Sequence, residues 1–210
     1  METAHAHHED HAMPTEGSAL TGVAISATLH CLTGCALGEI AGMAIGTALG
    51  FSDPGTIALA VALAFLFGYT LTSIPLLRAG LALSAVVPIA LAADTISIAI
   101  MEVVDYAIML VIPGAMESGL GDILFWGALS FALAVAFAVA LPVNRWLIAR
   151  GKGHTAVHET GIHGGPPVRL VGALTALAFL FGSGVLIAEA FDGGDEGHGG
   201  MQHESKSVTP

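Results

Sequence analysis

The sequence predicts an all-α fold, a polytopic bundle of five transmembrane helices in which four form a core and the fifth is an accessory. Three observations carry this. Hydrophobic residues fill 54% of the 210 positions and charged residues only 11%, against roughly 25% charged in soluble domains; the mean hydropathy is +0.79. Five apolar runs each reach the roughly 20 helical residues needed to cross about 30 Å of hydrocarbon. The runs are too long for barrel strands and lack their period-2 alternation.

In chain order the runs are Ala19 to Leu49, Gly55 to Leu77, Leu81 to Ile112, Ile123 to Ile148 and Val168 to Phe191. The first ends at Ser52-Asp53-Pro54-Gly55, the second at Arg78-Ala79-Gly80 and the third at Pro113-Gly114, all turn signals. Pro75, Pro88 and Pro142 fall within helical runs, where kinks are expected. Short connections between spans one to four favour an up-down bundle, the 19–150 transmembrane domain. The fifth span, 168–191, follows a histidine-bearing linker, 151–167, that ends in Pro166-Pro167. Residues 1–18 and 192–210 are acidic, histidine-rich and poor in aromatics, a composition that does not bury enough surface to order itself.

The amino-terminal segment has no Lys or Arg before an apolar stretch, so it does not read as a signal peptide. Arg78, Arg145, Arg150, Lys152 and Arg169 all fall on one side of a five-span topology. The positive-inside rule makes that side cytoplasmic, with the amino terminus inside and the carboxyl terminus outside a plasma membrane. The net charge of -11, with six Lys and Arg in all, excludes a nucleic-acid surface. The bilayer itself is the first partner.

The first span carries two stripes. Gly34, Gly38, Gly42, Gly46 and Gly50 fall four apart, a glycine zipper that lets helix backbones approach closely in lipid. It serves packing within the bundle, or contact with a second copy or another membrane protein. His30 extends it by one step. Beside it run Cys31, Cys35, Glu39, Met43 and Thr47, also four apart and so on one helix face. Cysteine and methionine alone are ordinary buried filler. Glu39 is not, because a carboxylate in mid-span costs about 3 kcal/mol on insertion scales and marks a functional site by default.

The third span supplies an acidic face. With Asp94 at zero, Met101, Glu102 and Asp105 lie at about -20°, +80° and +20° around a helix. Spans one and three run parallel, and depths counted from their midpoints set Cys31 and Cys35 near Asp94, Glu39 level with Met101 and Glu102, and Met43 level with Asp105. No Lys or Arg lies in the central part of any span. Protons, bound cations or cavity water must therefore neutralise Glu39, Asp94, Glu102 and Asp105.

Thiolates and thioethers select copper(I) or zinc, whereas carboxylates favour harder ions. Cys31, Cys35 and Met101 are the candidate soft ligands. Glu39, Met43, Asp94, Glu102 and Asp105 form the accompanying track, and His30 is the weak member because it points about 100° from Cys31. A disulfide between cysteines at i and i+4 on one helix would be strained. Nine of the ten histidines lie outside the spans: His5, His7, His8 and His11 with Met13; His154, His158 and His163; and His198 and His203 with Met201. Such tracts often collect metal. His158-Glu159 to His163 has the wrong spacing for a zinc-protease helix and is broken by Gly161.

The run Leu29 to Met43, with its His-Cys-x3-Cys-x3-Glu pattern, and the segments Ala93-Asp94-Thr95 and Met101 to Asp105 resemble a family of small prokaryotic membrane proteins classed only as a domain of unknown function. The resemblance covers about residues 20 to 150 and implies a multi-helix membrane domain; it brings no activity, substrate or catalytic residue.

The residues thus point to a membrane protein that binds, and passes on, a transition-metal cation, copper(I) ahead of zinc. Two alternatives stand beside it. One is a proton- or alkali-cation-conducting carboxylate path in which the thiols are filler, and the other is a non-transporting scaffold subunit that uses the glycine stripe. An enzyme is the least favoured class, for want of a nucleophile-base pair, a phosphate loop or a nucleotide motif. A redox metal or haem centre stays open because of His30.

Overall fold

The computed structural model describes residues 17–78, 80–150 and 168–195. The tail and linker histidines, with Met13, Met201 and Lys152, lie outside the described residues. Five helices follow one another: α1 (Gly17–Leu49), α2 (Asp53–Arg78), α3 (Leu83–Val111), α4 (Ile123–Ala149) and α5 (Val168–Asp195). All five are long and apolar enough to cross a membrane. Their ends lie within a few residues of those read from the sequence, and Pro75, Pro88 and Pro142 sit inside continuous helices.

Small residues decide which helices meet. Across the α1–α2 seam, Gly34 opposes Gly68, Gly38 opposes Ala64, Gly42 opposes Ala60 and Gly46 opposes Thr56. Each step of four up α1 matches a step of four down α2, as antiparallel helices in ridge-to-groove contact require. The approach is close enough that a Cβ built on Gly34 would stand 2.8 Å from the Gly68 Cα, and one on Gly38 or Gly42 would run into the backbone of Ala64 or Ala60. The stripe read from the sequence is therefore used inside the chain. Gly50 lies beyond it, exposed, with φ +68 in the turn that reverses the chain.

On α4, Ala128, Ala132, Ala136, Ala140, Asn144 and Ile148 form a buried line four apart, which brings α4 against both α1 and α3. α2 packs on α3 as well: Gly68 receives the tip of Ile98. α5 packs on α4, where Gly127 meets Val185 and Gly182 meets the Gly127 carbonyl and Phe131. Otherwise α5 is exposed along its apolar length, with Leu174, Leu177, Leu180 and Ile187 outward, as a lipid-facing accessory helix should be.

Candidate functional site

Helix α1 presents its two stripes to different neighbours. His30, one step below Gly34, continues the α1–α2 seam, and its Nε2 is 2.9 Å from the Thr72 hydroxyl. That seam turns the imidazole toward α2, about 100° from the neighbouring thiol. The second stripe faces α3 and α4. Cys31 and Cys35 form a buried cluster with Ile98 and Met101 of α3 and Ala136 and Ala140 of α4. The alanines leave the room that two thiols and a thioether occupy. Neither cysteine is in a disulfide.

The Cys31 thiol donates to Asp94 Oδ1 at 3.6 Å, and both residues are wholly buried. Ser97, one turn on from Asp94, also stands beside Cys31. α4 fixes this level through Asn144, whose Nδ2 donates to Thr28 and Ser97, each at 2.9 Å. Thr28 in turn donates to the Ala24 carbonyl. A buried amide whose donors are satisfied from two helices sets three helices at one depth.

One turn further along α1, Glu102 stands beside Cys35. One turn beyond that, Glu39 faces Tyr106, with Asp105 close enough to interact. The pairing runs parallel, as expected, but slips by about a turn: Glu39 is level with Tyr106 rather than with Met101. Glu39 Oε1, both oxygens of Glu102, both oxygens of Asp105 and the Tyr106 hydroxyl are buried without a hydrogen-bond partner among the described residues. Arg78, Arg145, Arg150 and Arg169 are all exposed at helix ends. The line is thus rich in acceptors and holds no cationic side chain, so protons, a cation or cavity water must balance it.

The line opens at one end. A cavity of about 320 Å³ reaches from the α1–α2 turn and the α3–α4 connection down to Glu39 and Tyr106, passing Met43, Thr47, Met109 and Met116. Glu117 and Asp53 stand at its rim. The connection is held in shape by Asp122 accepting from the Gly119 amide at 2.8 Å, by Trp126 donating to the Leu120 carbonyl at 2.9 Å and by Gly114 at φ +78.

A family model described as Domain of unknown function (DUF4396) matches residues 22–153. The chain belongs to that family. The matched DUF4396 segment runs from residue 22, five residues into α1, through the end of α4; it includes every residue of the buried line and leaves α5 outside. The DUF4396 description carries no catalytic activity. No curated protein and no solved structure matches the chain.

The fold brings together most of the residues singled out from the sequence. Cys31, Cys35, Asp94, Met101 and Glu102 share one buried stretch, with Glu39 and Asp105 next to it and Met43 in the cavity. His30 goes to the other seam. Among the described residues no group of three or more His, Cys, Asp and Glu side chains converges closely enough to hold one ion. Ser97, Tyr106, Thr28, Asn144 and Thr72 were not anticipated. Asn144, an amide in an apolar span four residues from Ala140, carried a readable signal; Tyr106, about 100° round from Asp105, did not.

Proposed function

We propose that this multi-pass membrane protein binds a soft transition-metal cation, copper(I) ahead of zinc, and passes it along the buried line between the cavity and Asp94. The observation that carries the reading is the contact of Cys31 with Asp94 at 3.6 Å inside a core that also holds Cys35 and Met101. A closed structural zinc site takes four ligands, and no such group stands here. Copper(I) is satisfied by two or three sulfur donors. One thiolate, one thioether and a monovalent ion make a neutral centre, the form a low-dielectric core tolerates. Asp94 takes the proton that Cys31 must release as the ion binds, and Glu102, Asp105 and Glu39 offset its charge along the path.

The same reading includes a plasma-membrane location with a cytoplasmic amino terminus. The exposed basic residues Arg78, Arg145, Arg150 and Arg169 gather at the end opposite the cavity, so the cavity faces outward by the positive-inside rule. The tail and linker histidines act as collectors.

The test is elemental mass spectrometry on protein purified in detergent without added metal, beside a Cys31→Ser/Cys35→Ser variant and a variant lacking both tails. Near-stoichiometric copper or zinc that survives tail removal and vanishes with the cysteines supports the reading. Metal held equally well by the cysteine variant, or none in the tail-less protein, defeats it. The buried, partnerless oxygens of Glu102 and Asp105 favour a second reading, a proton- or alkali-cation path. In that case the cysteine variant keeps its cation flux and Glu102→Gln loses it.

A further inference from the structure

Three methionines from three segments of the chain line the cavity. Met43 comes from α1, Met109 from α3 and Met116 from the α3–α4 connection, and all three line the cavity. Met43 and Met116 both pack against the buried cluster that holds Met109 with Ala115, Phe125, Ala128 and Leu129. Thr47 donates to the Met43 sulfur at 3.7 Å. Filler would close this space, whereas here the thioethers border an open volume of about 320 Å³ with the Glu39 carboxylate at its inner end.

Thioethers are neutral, soft donors. Unlike a thiol, they need release no proton to bind, and three of them replace part of a soft monovalent ion's hydration while a nearby carboxylate supplies the balancing charge. We propose that Met43, Met109 and Met116 form a capture site for a soft monovalent cation, copper(I) or silver(I), at the mouth of the buried line. Onward passage to Cys35 and Cys31 rests on the function proposed above; the thioether site does not.

The experiment labels the full chain with methyl-13C methionine in lipid nanodiscs and adds silver(I) nitrate, a redox-silent probe. The Met43, Met109 and Met116 methyl signals are assigned by single Met→Leu replacements, which conserve volume and keep the packing. The three signals should shift together, in the native chain and equally in Cys31→Ser/Cys35→Ser. A triple Met→Leu variant should bind silver(I) at this site about tenfold more weakly or worse, a loss of about 1.4 kcal/mol or more. Signals that stay fixed overturn the capture site even where the cysteines bind metal. Signals that move only when the cysteines are present also overturn it, since the methionines would then be reporting an ion held elsewhere. Shifts retained in a protein whose cysteines bind nothing uphold the capture site and remove the passage reading instead.

Discussion

The Cys31 thiol points at the Asp94 carboxylate, 3.6 Å from Oδ1, at a depth where neither residue meets solvent. The pair joins a soft donor to the group that would accept its proton. Asp94→Asn keeps the shape and the acceptor oxygen but removes the charge. Competition with a copper(I) chelator should show affinity for the ion falling about tenfold, a change of about 1.4 kcal/mol, while Cys31→Ser abolishes the tight site.

Burial makes a second prediction. Cys31 is 0% and Cys35 2% exposed, so a membrane-permeant maleimide should modify neither in the folded protein. Mass spectrometry should find both alkylated once the protein is unfolded. Rapid labelling of Cys35 in the folded state would mean that the line is wetter than its packing indicates.

The α1–α2 seam should tolerate no added carbon. Gly38→Ala places a Cβ against the Ala64 backbone, and overpacking of this kind costs roughly 1–3 kcal/mol. Gly22→Ala meets nothing within 4 Å and should be neutral or stabilising by about 0.5–1 kcal/mol, since alanine loses less entropy in a helix. Unfolding in mixed micelles compares the two.

Asn144→Ala removes two interhelical hydrogen bonds, to Thr28 and Ser97. Thr28 keeps its bond to the Ala24 carbonyl, so the expected loss is only about 1 kcal/mol on the scale measured for membrane helices. Asn144→Asp should cost more, because the Thr28 hydroxyl has already donated its proton and would face an acceptor. The same unfolding assay orders the two variants.

Orientation can be read from a single exposed residue. Ser52→Cys, in a Cys31→Ser/Cys35→Ser background, lies in the turn beside the cavity rim. An impermeant maleimide should label it from outside intact cells; labelling only after lysis would reverse the topology.

The spans were legible because hydropathy and turn residues are local properties, and the glycine and cysteine stripes were legible because a helix repeats every 3.6 residues. What the glycines touch was not. A zipper facing a second copy reads the same as one facing α2, and only the matching run of Thr56, Ala60, Ala64, Gly68 and Thr72 tells them apart. The depth match between Glu39 and Tyr106 depends on how α1 packs against α3, which no single helix encodes. Met116 sits in a connection with no periodicity, so nothing local ties it to Met43.

The matched register of α1 and α2 bears on how the chain enters the bilayer. α1 has the lowest mean hydropathy of the five spans, 1.5 against 2.1 for α2, and carries Glu39 in its stripe. Of the five it should therefore gain most from a partner during insertion. Joined to α2 by a turn of three residues, Gly50-Phe51-Ser52, it can partition as a preformed helical hairpin whose glycine side is already covered. Entry of α1 into the bilayer is then expected to be helped by the second span, and a lengthened turn should lower the inserted fraction of α1 in a translation assay with membranes.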